Sequence, residues 1–311
     1  PVLGKAVIGE DNYWKLFRQL AHQPAQAIEI IELVDRTIKK DYSQINDVIY
    51  MSFLGLLDEL SSLSAIASQP ECEEPDKIIS MSKRSIQLTS DLATIAKSND
   101  ISTEQEVQFS LYQALAHQCF NPCRGIRAYA IAVLQQALLS SGLDGQGIFN
   151  LVLFPLLLEL EKEEVVSTDA EGFPATQVDI VMLVYKVFLH VHEDLKDNLE
   201  PFWLAILEHL VSFRNKQAVV FDKVFHETGL EALKNTVLVL QSIEFLQQDK
   251  QELWQETWKR IDILDNQIQP EVTVQAKNEE KKGAETDKLM DTASNATEVR
   301  TESEPETQAD V

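Results

Sequence analysis

The residues of this chain whose types could do chemistry fall into a few short stretches. His117, Cys119 and Cys123 offer an imidazole and two thiols, the ligands zinc prefers. Their spacing matches no common zinc motif and no fourth ligand stands nearby, so small buried cysteines are the better reading. In "HVHED", His190 and His192 lie about 200° apart around a helix, because each residue advances roughly 100°. They read as helix-end histidines in an acidic neighbourhood, with Glu193 and Asp194. "GLDGQG", Gly142 to Gly147, has the glycine content of a phosphate-cradling loop, but no Lys-Ser or matching acidic partner accompanies it. It reads as an interhelical turn. No Gly-x-Ser-x-Gly or His-Glu-x-x-His occurs, so familiar hydrolase chemistry has no support. The segment is expected to be non-catalytic, with no cofactor and no metal.

Two stretches point instead to packing and contact. In "NPCRGIRAYAIAVLQQALLS", Asn121 is placed to cap a helix and Pro122 to occupy its first position. Ile126, Ala130, Val133, Leu134, Ala137 and Leu138 then form an apolar stripe, with Arg124, Arg127, Gln135 and Gln136 read as off it. The two arginines are expected to bridge neighbouring helical repeats rather than to meet an acidic partner. Near the end, Trp254, Trp258 and Ile261 recur at four and three residues. Packed inward they close an array of helices; with one exposed they form a candidate docking surface for a partner or a membrane interface.

The elements that must position these residues are helices. The chain has 311 residues, 44% of them hydrophobic, enough for a real core. It has ten glycines, about half the usual 7% share, and little alternation at period two. Helices are predicted over Asp11 to His22, Pro24 to Lys39, Ser43 to Ser68, Lys77 to Lys97, Thr103 to Phe120, Pro122 to Ser140, Ile148 to Glu163, Gln177 to Glu193, Leu199 to Arg214, Leu230 to Gln248 and Gln251 to Gln267. "STDAEGFPATQ" reads as a long, mobile connection. After Pro270 large apolar residues nearly vanish and acids dominate, which predicts a disordered acidic tail.

Formal net charge is −23, which argues against nucleic acid as a partner. Three cysteines cannot build a disulfide framework and suit a reducing compartment. The apolar runs Leu151 to Leu158 and Ile180 to Tyr185 fall far short of the roughly 20 residues a membrane span needs. The chain opens on Pro1 and is read as a segment of something longer. "IRAYAIAVLQQAL" has the pattern of a HEAT second helix, and "LFPLLLEL", with a proline inside an apolar helix, that of a first helix. The stripe around Leu134 returns near Val187 and Leu240, an interval of about 50 residues, towards the upper end for helical repeats. The fold class expected is all-α: a HEAT-like, armadillo-type helical-repeat solenoid. Its boundaries are read as an upstream helical part over 1–100, a HEAT-like region over 101–268 and the tail over 269–311.

"NPCRGIRAYAIAVLQQALL", "NLVLFPLLLEL", "YKVFLHVHEDL" followed by "PFWLAILEHL", and "LEALKNTVLVLQSIEFL" resemble, in that order, the C-terminal region of large guanine-nucleotide exchange factors for ADP-ribosylation-factor GTPases. The match is to the Golgi-specific brefeldin-A-resistance-factor branch, called Gea in fungi, and covers roughly Gln105 to Leu246. The resemblance implies HEAT-like homology blocks downstream of the catalytic domain, with no counterpart here of that domain's glutamate finger. It implies a regulatory and membrane-recruitment role in Golgi vesicle transport and COPI coat recruitment, with a cytoplasmic location peripheral to Golgi membranes. The implied partners are small GTPases of the ADP-ribosylation-factor or Rab families, Golgi membrane proteins and the rest of the parent factor, with dimerisation left open. The alternative is a generic HEAT-repeat adaptor or transport receptor whose acidic surface binds basic peptides.

Overall fold

The computed structural model describes residues 11–21, 23–40, 47–67, 72, 74–99 and 105–269. Among these every regular element is helical. The longer ones, in chain order, are α1 Asp11–Ala21, α2 Pro24–Lys40, α3 Asp47–Ser62, α4 Pro75–Asn99, α5 Gln105–Gln118 and α6 Arg124–Ser141. A composite helix, α7, follows: an α turn Gly145–Ile148, a π turn Phe149–Leu153 and an α segment Phe154–Glu159. The last are α8 Phe173–Leu195, α9 Leu199–Val224, α10 Leu230–Ser242 and α11 Gln251–Leu264. All eleven predicted helices are present. The stretch Ser43 to Asn46 and the tail beyond 269 lie outside the described residues.

Two compact units meet in sequence at Thr236 and Val237. In the first, helices pack on their neighbour in sequence and on the helix two along. One layer runs α1, α3, α5 and α7; the other runs α2, α4, α6 and α8, followed by a π turn at Phe225–Gly229. α9 continues the first layer, since the Phe202 ring packs tilted against Phe149 and edge-on against Phe154, at 5.3 and 5.1 Å. This is a run of stacked helical hairpins. Each hairpin has an apolar face it cannot bury alone, and stacking makes one continuous core.

Polar bridges accompany the packing in both layers. Arg84 of α4 reaches Asp35 of α2 at 2.7 Å, Tyr129 of α6 reaches Gln87 of α4 at 3.1 Å, and Lys186 of α8 reaches Gln135 of α6 at 3.0 Å. In the other layer His117 of α5 meets Asp58 of α3 at 2.9 Å, and His209 of α9 meets Glu161, just past α7, at 2.6 Å.

α7 explains its own irregularity. Pro155 has no N–H to offer the carbonyl of Leu151, and its ring crowds that turn. The helix widens into a π turn, closed by the Phe154 N–H on the Phe149 carbonyl, and Gln113 of α5 donates to the Leu151 carbonyl at 3.0 Å. At the preceding turn Gly142 takes the left-handed conformation, φ 64°, that ends α6, and Asp144 accepts from the Gly147 N–H at 2.7 Å. The glycine-rich stretch is therefore an interhelical turn.

Several bounds differ from expectation: α7 ends at Glu159 and α10 at Ser242, both short of the predicted Glu163 and Gln248. α8 starts at Phe173, earlier than predicted, with Pro174 in its first turn. α9 runs ten residues past Arg214 to Val224. As a helix α8 is long and apolar enough to cross a membrane, which the short apolar run in the sequence concealed, but 67% of its apolar window is buried inside the protein. It serves as a core helix, with Ile180, Leu183, Val184, Val187 and Phe188 enclosed.

In the second unit α10 ends in a left-handed residue, Glu244, φ 59°. The Phe245 and Leu246 N–H groups both donate to the Leu240 carbonyl at 3.0 Å, and Lys250 caps the Glu244 and Phe245 carbonyls at 2.9 and 3.2 Å. Leu253, Trp258, Ile261, Leu264 and Ile268 supply buried apolar side chains. A side chain with Cβ is disfavoured in the left-handed region, where glycine is not. Glu244→Gly is expected to raise unfolding free energy by about 0.5–1 kcal/mol, measured by urea denaturation.

Candidate functional site

A heavily connected polar group in the first unit is Arg127, fully buried in the first turn of α6. Its Nε donates to Thr176 Oγ1 of α8 at 3.0 Å, and Nη1 donates to the Asn121 and Pro122 carbonyls at 2.9 and 3.1 Å. Nη2 donates to Asp169, and the guanidinium lies 4.2 Å from the centre of the Phe173 ring. Arg124 embraces the same carboxylate through Nε and Nη2 at 3.0 and 2.8 Å. Hydrogen bonds from Arg124, then Arg127, outweigh the penalty of desolvation and hold the Asp169 pKa down at about 2.

The arginines bridge neighbouring repeats as expected, but the reading of Arg127 as off the buried stripe is corrected. It stands four residues before Ile131 and seven before Leu134, positions that share its helix face. Helical periodicity alone would have located it; its charge argued the other way. Asn121 is corrected too. The residue preceding α6 is Cys123, and it makes no side-chain cap. Asn121 is buried and its Oδ1 accepts from the Cys123 N–H at 2.9 Å and from Ser64 Oγ at 3.0 Å, tying the turn back to the previous hairpin. Ser167 to Gln177, expected to be a mobile connection, is a 3-10 turn, Ser167–Asp169, and a short turn through Gly172 that leads into α8. Asp169 anchors it. Gly172 leaves the room: a Cβ there would fall 2.2 Å from Asp169 Oδ2 and 2.4 Å from Arg124 Nε.

The other layer uses histidine. The hydrogen bond to Asp58 raises the His117 pKa against the opposing effect of burial, and the charges of Asp58 and Glu159 add to it. Gln118 donates to the same carboxylate at 2.7 Å. At the next junction Glu161 takes His209 at 2.6 Å, Ser212 at 2.8 Å and Lys216 at 3.3 Å. Burial would raise the Glu161 pKa, but these partners, His209 first, bring it below its usual value. Among the described residues no serine, threonine or cysteine hydrogen-bonds either imidazole. His117 ties α5 to α3, and His209 ties α9 to the turn after α7.

The remaining flagged residues are dispersed. Cys119 is buried, donates to the Leu115 carbonyl, and has its thiol pKa pushed up by burial. Cys123 is buried at the start of α6. His190 is exposed, while His192 bonds the Leu189 carbonyl at 2.8 Å. Among the described residues no group of three or more His, Cys, Asp or Glu is placed to hold a metal ion. In α11 the structure buries Ile261 and leaves Trp258 only 4% exposed, while Trp254 is half-buried and packs edge-on to Trp258 at 5.4 Å. A docking surface on this helix would have to rest on Trp254, because the other two side chains are spent on packing.

Stacked hairpins whose inward charges are consumed in joining one repeat to the next define an α-helical-repeat protein, a class that works by presenting surface. The family model described as "GBF1-like, tetratrico peptide repeat region" matches residues 108–268. The chain belongs to this GBF1-like repeat family. It is 30% identical over 261 residues to ARF guanine-nucleotide exchange factor 2 of Saccharomyces cerevisiae, covering 76% of this chain and 16% of that protein. To ARF guanine-nucleotide exchange factor 1 of the same yeast it is 27% identical over 198 residues, covering 57% and 14%. The chain thus spans about a sixth of the length of these relatives. The Gea-type resemblance is confirmed, and so is the all-α repeat class; the family description assigns the hairpins to the tetratricopeptide type where the sequence patterns suggested HEAT.

Asp169→Asn is expected to lower unfolding free energy by about 3–5 kcal/mol, the usual result of leaving a buried charge without its partner, as read by chemical denaturation. The His117–Asp58 bridge has the opposite dependence on protonation. With its folded pKa raised, His117 contributes stability that is complete below its unfolded value of about 6.5 and is lost as pH rises through the folded value. An NMR titration should place its pKa above 6.5 in the native protein, and Asp58→Asn should bring it down.

Proposed function

We propose that this chain is a non-catalytic regulatory and membrane-recruitment segment of an ADP-ribosylation-factor exchange factor, acting in Golgi vesicle transport. The observation that carries the reading is the family match over 108–268 to relatives named as ARF exchange factors, combined with bridging roles for the histidines and buried arginine that could otherwise have supplied chemistry. In this reading the region 101–268 is the working part. It sits in the cytoplasm, peripheral to Golgi membranes, and meets membrane-tethered small GTPases of the ADP-ribosylation-factor or Rab families or other Golgi membrane proteins. Its contribution to COPI recruitment is to place the parent factor, with exchange left to a domain elsewhere.

The experiment is liposome flotation of the whole chain on Golgi-like lipids, with or without tethered ADP-ribosylation-factor or Rab GTPases loaded with GTP or GDP. The expected outcome is flotation only with a GTP-loaded protein, together with background nucleotide release in an exchange assay. Flotation on bare lipid would shift the role to direct membrane contact. Flotation in no condition, with tight binding to basic peptides, would replace the reading with the generic adaptor.

A further inference from the structure

Of the described histidines, two tie one element of the first unit to another, and both do so in the same layer. His117 of α5 meets Asp58 of α3, and His209 of α9 meets Glu161, just past α7. His192 and His226 instead bond carbonyls three and four residues back, at Leu189 and Asp222. The opposite layer is joined by other groups: Arg84 with Asp35, Tyr129 with Gln87, Lys186 with Gln135 and, at the approach to α8, Arg127 with Asp169. Imidazole is the side chain whose charge ordinarily changes between pH 5 and 8. Arginine, lysine and tyrosine keep theirs over that range. Both aspartates stay ionised as well: Asp35 against the effect of burial, through Arg84 and Lys39, and Asp169 at about 2, through Arg124 and Arg127. One layer therefore has joints that depend on a proton, and the other does not.

Each carboxylate is fixed by more than its histidine. Gln118 donates to Asp58 at 2.7 Å, and Ser212 and Lys216 reach Glu161 at 2.8 and 3.3 Å. The acids therefore stay in place when an imidazole loses its proton, and what changes is the strength of the bond. A neutral imidazole can still donate one N–H; protonation adds the attraction of unlike charges. The charged groups that face His117 are Asp58 of α3 and Glu159 of α7, the latter paired with Lys162. Those at His209 are Glu161 and the Lys216 that shares it, with Glu208 exposed beside it on α9. The rings of Phe120 and Phe154 lie against the two imidazoles, at 5.0 and 6.1 Å.

We propose that the layer of α1, α3, α5, α7 and α9 is a proton-sensitive face of the first unit: protonation of His117 and His209 tightens the α3–α5 junction and the junction of α9 with the turn after α7, while the junctions of the opposite layer keep their strength. Acidification stiffens one layer against the other, and a rise in pH through the titration of the imidazoles loosens it. The sign agrees with the raised His117 pKa, whose contribution is complete below the unfolded value of about 6.5 and is lost as pH rises through the folded one. General relief of the chain's net charge of −23 is a different effect. Carboxylates of ordinary pKa remain ionised from about pH 8 down to about pH 6, and such relief would act on both layers alike. The proposal is independent of the function given above.

The test is amide hydrogen exchange of the intact chain at about pH 6 and about pH 8, with rates corrected for the intrinsic pH dependence of exchange and resolved by helix. Protection of α5 and α9 is expected to be about two- to fivefold higher at the lower pH, the range set by single partly exposed bridges, with no matching change in α2, α6 or α8. His117→Gln should remove the response of α5 and leave that of α9, and His209→Gln should do the reverse, each variant being checked for native circular dichroism. Should His209→Gln not fold, His117→Gln, at a half-exposed position, decides by itself. Equal responses in both layers, no response in the native chain, or a response that survives substitution of its own histidine overturns the proposal.

Discussion

A guanidinium taken entirely out of water has to be met on every side, and the junction around Arg127 is built to do so. Isolated in the core the charge would be prohibitive; with Asp169, Thr176 and the carbonyls of Asn121 and Pro122 around it, its donors are satisfied and the ring of Phe173 covers its face. These partners come from three places: the turn before α6, the turn after α7 and the first turns of α8. One side chain therefore fixes the register of a hairpin on its neighbour. Arginine suits this role where lysine would not, because its planar fork reaches several acceptors in fixed directions.

The same principle, with weaker groups, runs along the array. The bridges joining α2 to α4, α4 to α6 and α6 to α8 pair residues 42 to 51 positions apart, about one hairpin's length. Apolar burial supplies the bulk of the association but is tolerant of sliding; hydrogen bonds with defined partners are not. The stability of a repeat array is a sum of each repeat's own stability and its interfaces with nearest neighbours, so a lesion at one junction acts mainly on the two hairpins that share it. Exposed bridges such as His117 with Asp58 add modestly to stability and more to alignment.

A protein built in this way commits much of its inward chemistry to holding itself together. Membership of the GBF1-like repeat family agrees with this construction. The histidines and cysteines that first attract attention are engaged in the same way: Cys119 donates to a carbonyl of its own helix, His117 ties α5 to α3, His209 ties α9 to the turn after α7, and His192 answers a carbonyl one turn back.

The order and type of the helices were legible in the sequence because apolar periodicity and the placement of proline and glycine act over a few residues. Asp11 to Ala21, Pro24 to Lys40 and the turn at Gly142 follow from such local rules, and the family resemblance rested on the same short phrases. What periodicity could not settle was which neighbours a side chain would find about 50 residues away. Arg127 was expected to bridge repeats but read as lying off the buried stripe until Asp169 and Thr176 were brought to it; Asn121 looked like a cap until Ser64 stood beside it. Ser167 to Gln177 looked mobile until two arginines held Asp169. Trp254 and Trp258 shared one pattern and met different fates, one half-buried and one enclosed. Local spacing determines which face a residue occupies, but only the tertiary structure decides what that face is pressed against, because desolvation and hydrogen bonding depend on partners that sequence distance does not reveal.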